Sequence, residues 1–311
     1  MENLLKNFGP KVQSLIKAVF EAGEKVKRIP RIFEVKKGES HRSGVTQGDK
    51  LSQDIIVKRL TEEIEGVRIL CEEESNHKSV LSKDNPLGLF EGTRVIIDPI
   101  DSTLNYGEDA ADWSVGAGLM EDGVLRGTAI YAPAFNNGLI IAAEADRGVA
   151  KLDWGDVKHC DCPPKKREPQ KCVVRVGVDT LLYPSFAQTI PIIGANVRGV
   201  LTMGSGLLGL GLMACGQVQA IIQTPQKAWD WAPAYAAASL GGNTFRFFQI
   251  SEGGELVPVK EYDYEAFCFL PKTNRLGFVA GQPSLVDKIW DILPKAGWSR
   301  LNPDTISGTW N

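Results

Sequence analysis

The sequence predicts an α/β fold of two packed lobes, the first of α+β character over residues 1–165 and the second of α/β character over residues 166–311. Three observations predict it. Short apolar segments at 113–120, 124–131 and 138–143, split by turn residues such as Glu121-Asp122-Gly123, read as an antiparallel meander. After residue 172 strand-like and helix-like segments alternate, the pattern of an α/β layer. Between these regions residues 153–171 are rich in charge and contain Pro163, Pro164 and Pro169, which marks a lobe boundary.

Composition agrees with a folded chain. A length of 311 residues suits two lobes better than one core, and 43% hydrophobic with 23% charged residues is ordinary globular usage. The net charge of -3 gives no global attraction for a nucleic-acid polymer or an anionic membrane, so a small anionic substrate would need local positive charge or metal. No apolar run approaches a membrane span, and the first residues lack the apolar core of a signal peptide. A cytoplasmic protein with reduced thiols is therefore expected, its six cysteines being too sparse for a disulfide scaffold. His159, Cys160, Cys162 and Cys172 could be drawn as a zinc site, but their spacing matches no standard finger, and a polar surface loop is the better reading.

In chain order, apolar residues from Leu4 to Phe20 follow helical spacing, with a break at Gly9-Pro10. Residues 25–48 are basic and glycine-bearing and read as a mobile loop. A helix over 49–66 follows, with Asp49 at the N-cap position. A strand over 67–71 then delivers Glu72, Glu73 and Glu74, either an exposed acidic turn or part of a metal site. Beyond a linker at 86–92, the strand Val95-Ile96-Ile97 runs into Asp98, Asp101, Ser102 and Thr103. Carboxylates at a strand end suit a hard cation, and the hydroxyls and amides after them suit a phosphate.

In the second half, strands are expected near 172–178, 197–201 and 218–222, and Met203-Gly204-Ser205-Gly206 opens an apolar helix that ends before Gly216. Pro233 in the first turn and Gly241-Gly242 after the last frame another helix. Asp230 is placed as its N-cap, between two tryptophans that would shield a carboxylate. Residues 245–274 carry no chemical signal, and a strand at 276–280 and a helix at 284–293 close the chain.

The acidic candidates are thus Asp49, the Glu72–Glu74 run, Asp98, Asp101 and Asp230, all at strand ends or helix starts, where turns from separate elements can converge. None of the three histidines lies among them. Chemistry here is carboxylate and metal chemistry.

Taken together, Glu-Glu-Ser, Asp-Pro-Ile-Asp-Ser-Thr and Trp-Asp-Trp-Ala-Pro followed by Gly-Gly resemble the motifs of the inositol monophosphatase superfamily of lithium-sensitive, metal-dependent phosphatases, in the right order from about residue 46 to 291. The resemblance implies a layered αβαβα sandwich like that of fructose-1,6-bisphosphatase. It implies that Glu73, Asp98 and the carbonyl of Ile100 hold one Mg²⁺, that Asp98, Asp101 and Asp230 hold a second, and that a third, weaker ion lies near Glu73. Thr103, paired with Asp49, would orient and help deprotonate the attacking water. Ser102 and Thr103 would bind the phosphate, Ser205 and Gln223 would face the substrate, and Li⁺ would inhibit. No covalent phosphoenzyme is implied, and a homodimer is common among such proteins. The family usually has Gly-Glu-Glu where this chain has Glu72-Glu73-Glu74. Matching Ser75-Asn76 to the family makes Glu73 the ligand and Glu74 its neighbour, with Glu74 as the alternative ligand.

The resemblance makes the chain a Mg²⁺-dependent phosphomonoesterase acting on a small polyol, sugar or nucleotide phosphate. Gln223 stands where inositol monophosphatases carry a glutamate, which weakens inositol monophosphate as the substrate. Ser102 is similar to the residue in inositol polyphosphate 1-phosphatases, although this chain is shorter. The segment typical of 3′(2′),5′-bisphosphate nucleotidases has no match near residues 177–180. Lys165, Lys166 and Arg167 could read a second phosphate or form a solvated loop. Two other classes compete. A covalent aspartyl mechanism of the haloacid dehalogenase type uses D-x-D spacing, and this chain has D-x-x-D; a non-catalytic homologue that binds metal or ligand would keep the fold without turnover.

Overall fold

A computed structural model describes residues 1–35, 44–81, 91–162, 165–259 and 275–301. Helices α1 (Glu2–Leu5) and α2 (Pro10–Val26) are split at Gly9-Pro10, with Pro10 at the start of α2, where its missing N–H costs nothing. Val12, Leu15, Ile16, Val19, Ala22 and Val26 form the buried face of α2 at helical spacing. Within the stretch read as a loop, the described residues form a short antiparallel pair, β1 (Phe33–Val35) and β2 (Gly44–Thr46); residues 36–43 lie outside the described residues. Helix α3 (Gln47–Glu63) follows directly.

A seven-stranded sheet comes next, in spatial order β3-β4-β5-β6-β7-β8-β9. Its strands are β3 (Arg68–Cys71), β4 (Thr93–Asp101), β5 (Ser114–Glu121), β6 (Val124–Ala132), β7 (Leu139–Glu144), β8 (Gly148–Asp153) and β9 (Asp156–His159), with the short helix α4 (Thr103–Gly107) between β4 and β5. β3 and β4 run parallel; every later pair is antiparallel, as the meander predicts. The expected linker at 86–92 lies mostly outside the described residues.

The second sheet has six strands in the order β11-β10-β12-β15-β13-β14. These are β10 (Val173–Gly177), β11 (Gly199–Met203), β12 (Ala220–Gln226), β13 (Thr244–Ile250), β14 (Leu256–Val259) and β15 (Leu276–Gly281). β10 pairs in parallel with β11 and β12, and β15 runs antiparallel to β12 and β13. The helices are α5 (Pro184–Ala187), α6 (Thr189–Asn196), α7 (Gly206–Ala214), α8 (Ala232–Leu240) and α9 (Pro283–Ile292).

Five layers result. α2 and α3 cover one face of the first sheet, α7 and α8 lie between the sheets, and α6 and α9 pack on the second sheet. The apolar run in β4 follows from this sandwiching: Val95 and Ile97 join the core under α2 and α3, while Ile96 joins the core around α7 and α8. A strand buried on both faces has no polar side to alternate with.

Candidate active site

Strand β4 ends in the bulge that sets the site. In the pairing with β5, Asp98 lies opposite Gly116 and Asp101 opposite Ser114, with a register shift between them. Three residues on β4 thereby match two on β5, and a bulge of that kind returns Asp101 to the face that Asp98 occupies. Without it, a spacing of three along a strand would send the carboxylates to opposite faces. By alternation from Ile96, that face looks toward α7 and α8.

Asp98 is buried, and its Oδ1 has no hydrogen-bond partner among the described residues. Burial first, then the charges of Glu72, Asp101, Asp230 and Asp49, raise its pKa well above the usual carboxylate value. The Asp101 Oδ2 accepts hydrogen bonds from Ser205 Oγ at 2.5 Å and from the Leu207 amide at 2.7 Å. Burial still outweighs these bonds and pushes Asp101 up to about 7.

Asp230 arrives from the turn after β12. It closes a single 3₁₀ turn, Ala228–Asp230, and its Oδ2 accepts the Lys227 amide at 2.9 Å. It is therefore not the N-cap of α8, a position held by Trp231, because the 3₁₀ turn intervenes. Trp229 and Trp231 are buried in the inter-sheet core and anchor the turn from beneath. Crowding by protein atoms, then the charges of Glu72 and Asp101, raise Asp230 to about 8.

Asp49 occupies a different position from the one its sequence context suggests. Thr46 is the N-cap of α3, and Asp49 is its partner one turn in, completing a capping box. Asp49 Oδ2 accepts from the Thr46 amide and hydroxyl, both at 2.7 Å, and the Thr103 hydroxyl lies 3.0 Å from Oδ1. Burial raises its pKa to about 6 against the lowering effect of the Thr46 bonds. The Thr103 hydroxyl also lies 3.2 Å from the carbonyl of Ile100, and Ser52 Oγ donates to the carbonyl of Pro99 at 2.7 Å.

The glutamate run leaves β3 with Glu72 and Glu73 half-buried, and Oε1 of Glu73 is itself buried. β3 pairs in parallel with β4 as far as Cys71 beside Ile97, so the run leaves the strand next to the segment that carries Asp98. Glu72 is the glutamate whose charge acts on Asp49, Asp98 and Asp230. Glu73 is held through its main chain: its amide donates to Gln53 Oε1 at 3.0 Å, and Gln53 Nε2 donates to its carbonyl at 3.1 Å. Glu74 is exposed.

Ser102 adopts a left-handed backbone at φ 71°, ψ 60°, and opens α4 without a side-chain cap. Gly204 packs against it; a Cβ there would fall 2.1 Å from Ser102 Oγ.

The two residues expected to face the substrate are both buried. Ser205 is fully buried, because its hydroxyl caps α7 through the Leu208 amide, donates to Asp101 and meets Ser114 Oγ at 2.9 Å. With its one proton given to Asp101, the bond with Ser114 runs from Ser114 to Ser205. Gln223 is 4% exposed on β12, packed against Gly177.

Sequence reading also missed Asp112 and Arg175. Arg175 Nη2 lies 3.2 Å from Asp112 Oδ2, both largely buried, and the same carboxylate oxygen accepts the Ser205 amide at 3.3 Å. An arginine in the apolar run Val173-Val174-Arg175-Val176 was the available signal.

The cysteines need correction as well. Cys160 and Cys215 form a disulfide, so reduced thiols do not describe that pair, and His159 ends strand β9 where a loop was expected. The sequence gap of 55 residues between the two hides their pairing. Cys71 and Cys172 are buried and Cys162 is exposed. A cavity of about 350 Å³ lies beside the disulfide, lined by Lys151, Lys158, His159 and Arg167 among others; it is at the opposite end of α7 from Asp101.

Could these carboxylates take a cation? The donor set is oxygen only, and the buried Asp98 Oδ1 awaits a partner, as Mg²⁺ requires. Among the described residues no three acidic, histidine or cysteine side chains yet stand close enough to share one ion. Asp101 and Asp230 each give one oxygen to protein donors and retain the other. The donor chemistry fits; closing on an ion requires side-chain rotation. Among the described residues no helix is long and apolar enough to cross a membrane.

Known proteins resemble this chain in sequence and in fold. The sequence model of the inositol monophosphatase family matches residues 10–261. The inositol-1-monophosphatase of Bacillus subtilis is 26% identical over 250 residues, 79% of this chain and 82% of that protein. The putative Nus factor SuhB of Neisseria meningitidis serogroup B is 25% identical over 228 residues, 72% and 81% of the two chains. Among solved structures, the IMPase of Thermotoga maritima superposes with a TM-score of 0.68 at 20% identity, covering 89% of this chain and 94% of that one. The extragenic suppressor protein suhB of Bartonella henselae gives 0.67 at 21%, covering 91% and 96%.

Proposed function

The chain belongs to the inositol monophosphatase family, and from that premise we propose that it is a Mg²⁺-dependent phosphomonoesterase acting on a small phosphate ester. One observation carries the reading: the β4 bulge puts Asp98 and Asp101 on one buried face, with an Asp98 oxygen lacking any hydrogen-bond partner among the described residues, and burial, then the charges of neighbouring acids, raises Asp98 and Asp230. Such a cluster is costly to keep unless a cation neutralises it.

Asp98, Asp101, Asp230, the carbonyl of Ile100 and a glutamate of the 72–74 run would hold Mg²⁺, with Glu72 favoured by the effect of its charge on Asp98 and Asp230. Ions bound there supply Lewis-acid activation of water and neutralise charge on the ester oxygens. The chain's own residues do the rest. Thr103 orients the attacking water through its hydroxyl, and Asp49 behind it accepts the proton; with a pKa of about 6 it is ionised at neutral pH. Ser102 and the amide of Thr103 hold phosphate oxygens. The trio of Asp101, Ser205 and Leu207 N–H fixes the start of α7 against the cleft. Li⁺ inhibition belongs to the proposal.

A Thermotoga maritima relative, 25% identical over 204 residues, is named fructose-1,6-bisphosphatase/inositol-1-monophosphatase, which supports a sugar or polyol phosphate. Phosphate release should be screened with inositol mono- and polyphosphates, sugar phosphates and bisphosphate nucleotides. Release that survives both EDTA and Asp98→Asn would overturn the reading. Tight Mg²⁺ binding without any turnover would instead favour a non-catalytic homologue.

A further inference from the structure

Resting on the phosphatase reading, we propose that Arg175, acting through Asp112, is the positioning residue that fixes the Gly204-Ser205 turn and with it the orientation of the Asp101 carboxylate. Arg175 stands in β10 and is 2% exposed. A guanidinium is costly to bury in a core strand unless a paired charge uses it. Its Nη2 lies 3.2 and 3.4 Å from the two Asp112 carboxylate oxygens.

Asp112 is a junction. Its carboxylate accepts the Ser205 amide at 3.3 Å, and the Gly204 amide bonds to it as well. Its carbonyl accepts Asn105 Nδ2 at 2.8 Å, which ties it to α4, the helix that follows Ser102 and Thr103. From Ser205 the line continues through its hydroxyl to Asp101. The second sheet thus reaches the carboxylate of the first through Arg175, Asp112 and Ser205. Gly209 leaves room for this: a Cβ there would fall 2.1 Å from Arg175 Nη1.

A second observation points the same way. Arg175 Nη1 is buried with no hydrogen-bond partner among the described residues, and Arg175 lines a void of about 10 Å³ together with Ser205, Gly206 and Gln223. That is about the space of one water. The guanidinium is held by Asp112 on one side and left open on the other, so Asp112 is what fixes it.

The test uses the full chain. Arg175→Lys keeps the charge and loses the planar fork; Asp112→Asn keeps an acceptor and loses the charge. Mg²⁺ alone is titrated by calorimetry, and kcat and KM are measured on one phosphate ester. Each variant should weaken Mg²⁺ binding by about tenfold or more, lower kcat more than it raises KM, and add little when combined with the other. Arg175→Met/Asp112→Asn removes both charges and leaves none uncompensated, so it tests the proposal even where a single variant fails to fold; it should show the same loss. Variants that melt earlier yet bind Mg²⁺ as the parent does would overturn the proposal and leave the pair a structural staple. A parent protein that hydrolyses no ester, while its variants still lose Mg²⁺ affinity, would count against the phosphatase reading and for the positioning role.

Discussion

The Thr103 hydroxyl lies 3.0 Å from Asp49 Oδ1 and 3.2 Å from the Ile100 carbonyl, so two acceptors compete for one proton. Donation to Asp49 turns the Thr103 lone pairs toward the cleft, and donation to Ile100 occupies a proposed metal-binding carbonyl. A working general base requires the first arrangement. Thr103→Val should therefore lower kcat by about 10²-fold to 10⁴-fold, with little change in melting temperature. Asp49→Asn should lower kcat similarly and also cost about 1 kcal/mol through the capping box. Phosphate release and thermal melts check the pair; a Thr103→Val enzyme with full kcat would remove Thr103 from the mechanism.

The raised carboxylates make a prediction about pH. A carboxyl whose folded-state pKa exceeds its unfolded value of about 3.9 holds its proton more tightly in the folded chain. Its contribution to stability is full below the unfolded value and is lost as pH rises through the folded one. Asp49 sits at about 6, Asp101 at about 7 and Asp230 at about 8, with Asp98 also raised. Chelator-treated protein should lose melting temperature steadily as pH rises across that span. Excess Mg²⁺ should flatten the slope, and Asp98→Asn should reduce it without metal. A melting temperature that rises with pH in EDTA would contradict the proposed cluster.

Ser102 carries a β-carbon at φ 71°. The left-handed region costs a non-glycine residue roughly 1–2 kcal/mol, and replacing it by glycine returns roughly 0.4–1 kcal/mol through unfolded-state entropy. Ser102→Gly should thus be neutral or stabilising by up to about 1.6 kcal/mol, while the proposed loss of a phosphate contact should raise KM. A serine kept at a strained position for no function would leave KM unchanged. Denaturant melts and steady-state kinetics separate the cases.

How much of this was legible in the sequence follows from the range of each interaction. The bulged Asp-Pro-Ile-Asp segment announced itself, because an apolar run and two acids are neighbours in the chain. The meander and the framed helix α8 were legible for the same reason: turn residues, proline and glycine act locally. Asp49 and Asp230 were recognised as acids at helix starts, but their cap positions were off by one turn or less; Thr46 takes the cap in one case and a 3₁₀ turn intervenes in the other. Ser205 and Gln223 were assigned by resemblance to the family, and only packing reveals that both are buried. Asp112 and Arg175, 63 residues apart, and Cys160 and Cys215, 55 apart, meet only through the stacking of layers. No local pattern encodes such a meeting.

The choice between Glu72 and Glu73 shows how register decides chemistry. Matching the serine and asparagine that follow selects Glu73, while the charge that acts on Asp98 and Asp230 is that of Glu72, just past the end of β3. One residue of slip at the end of a strand moves a side chain to the other face. Glu72 acts electrostatically on Asp49, Asp98 and Asp230, and Glu73 is clasped through both main-chain groups by the Gln53 amide. That clasp has a use: it fixes the backbone from which Glu72 projects. Glu72→Gln should therefore weaken Mg²⁺ binding by about 10-fold to 100-fold and lower phosphate release with it, and Glu73→Gln should change both by less than about threefold. Gln53→Ala, which frees the backbone and leaves both carboxylates in place, should fall between them. Calorimetry with Mg²⁺ on the three variants ranks them directly, and the reverse order for the two glutamates would return the ligand to Glu73.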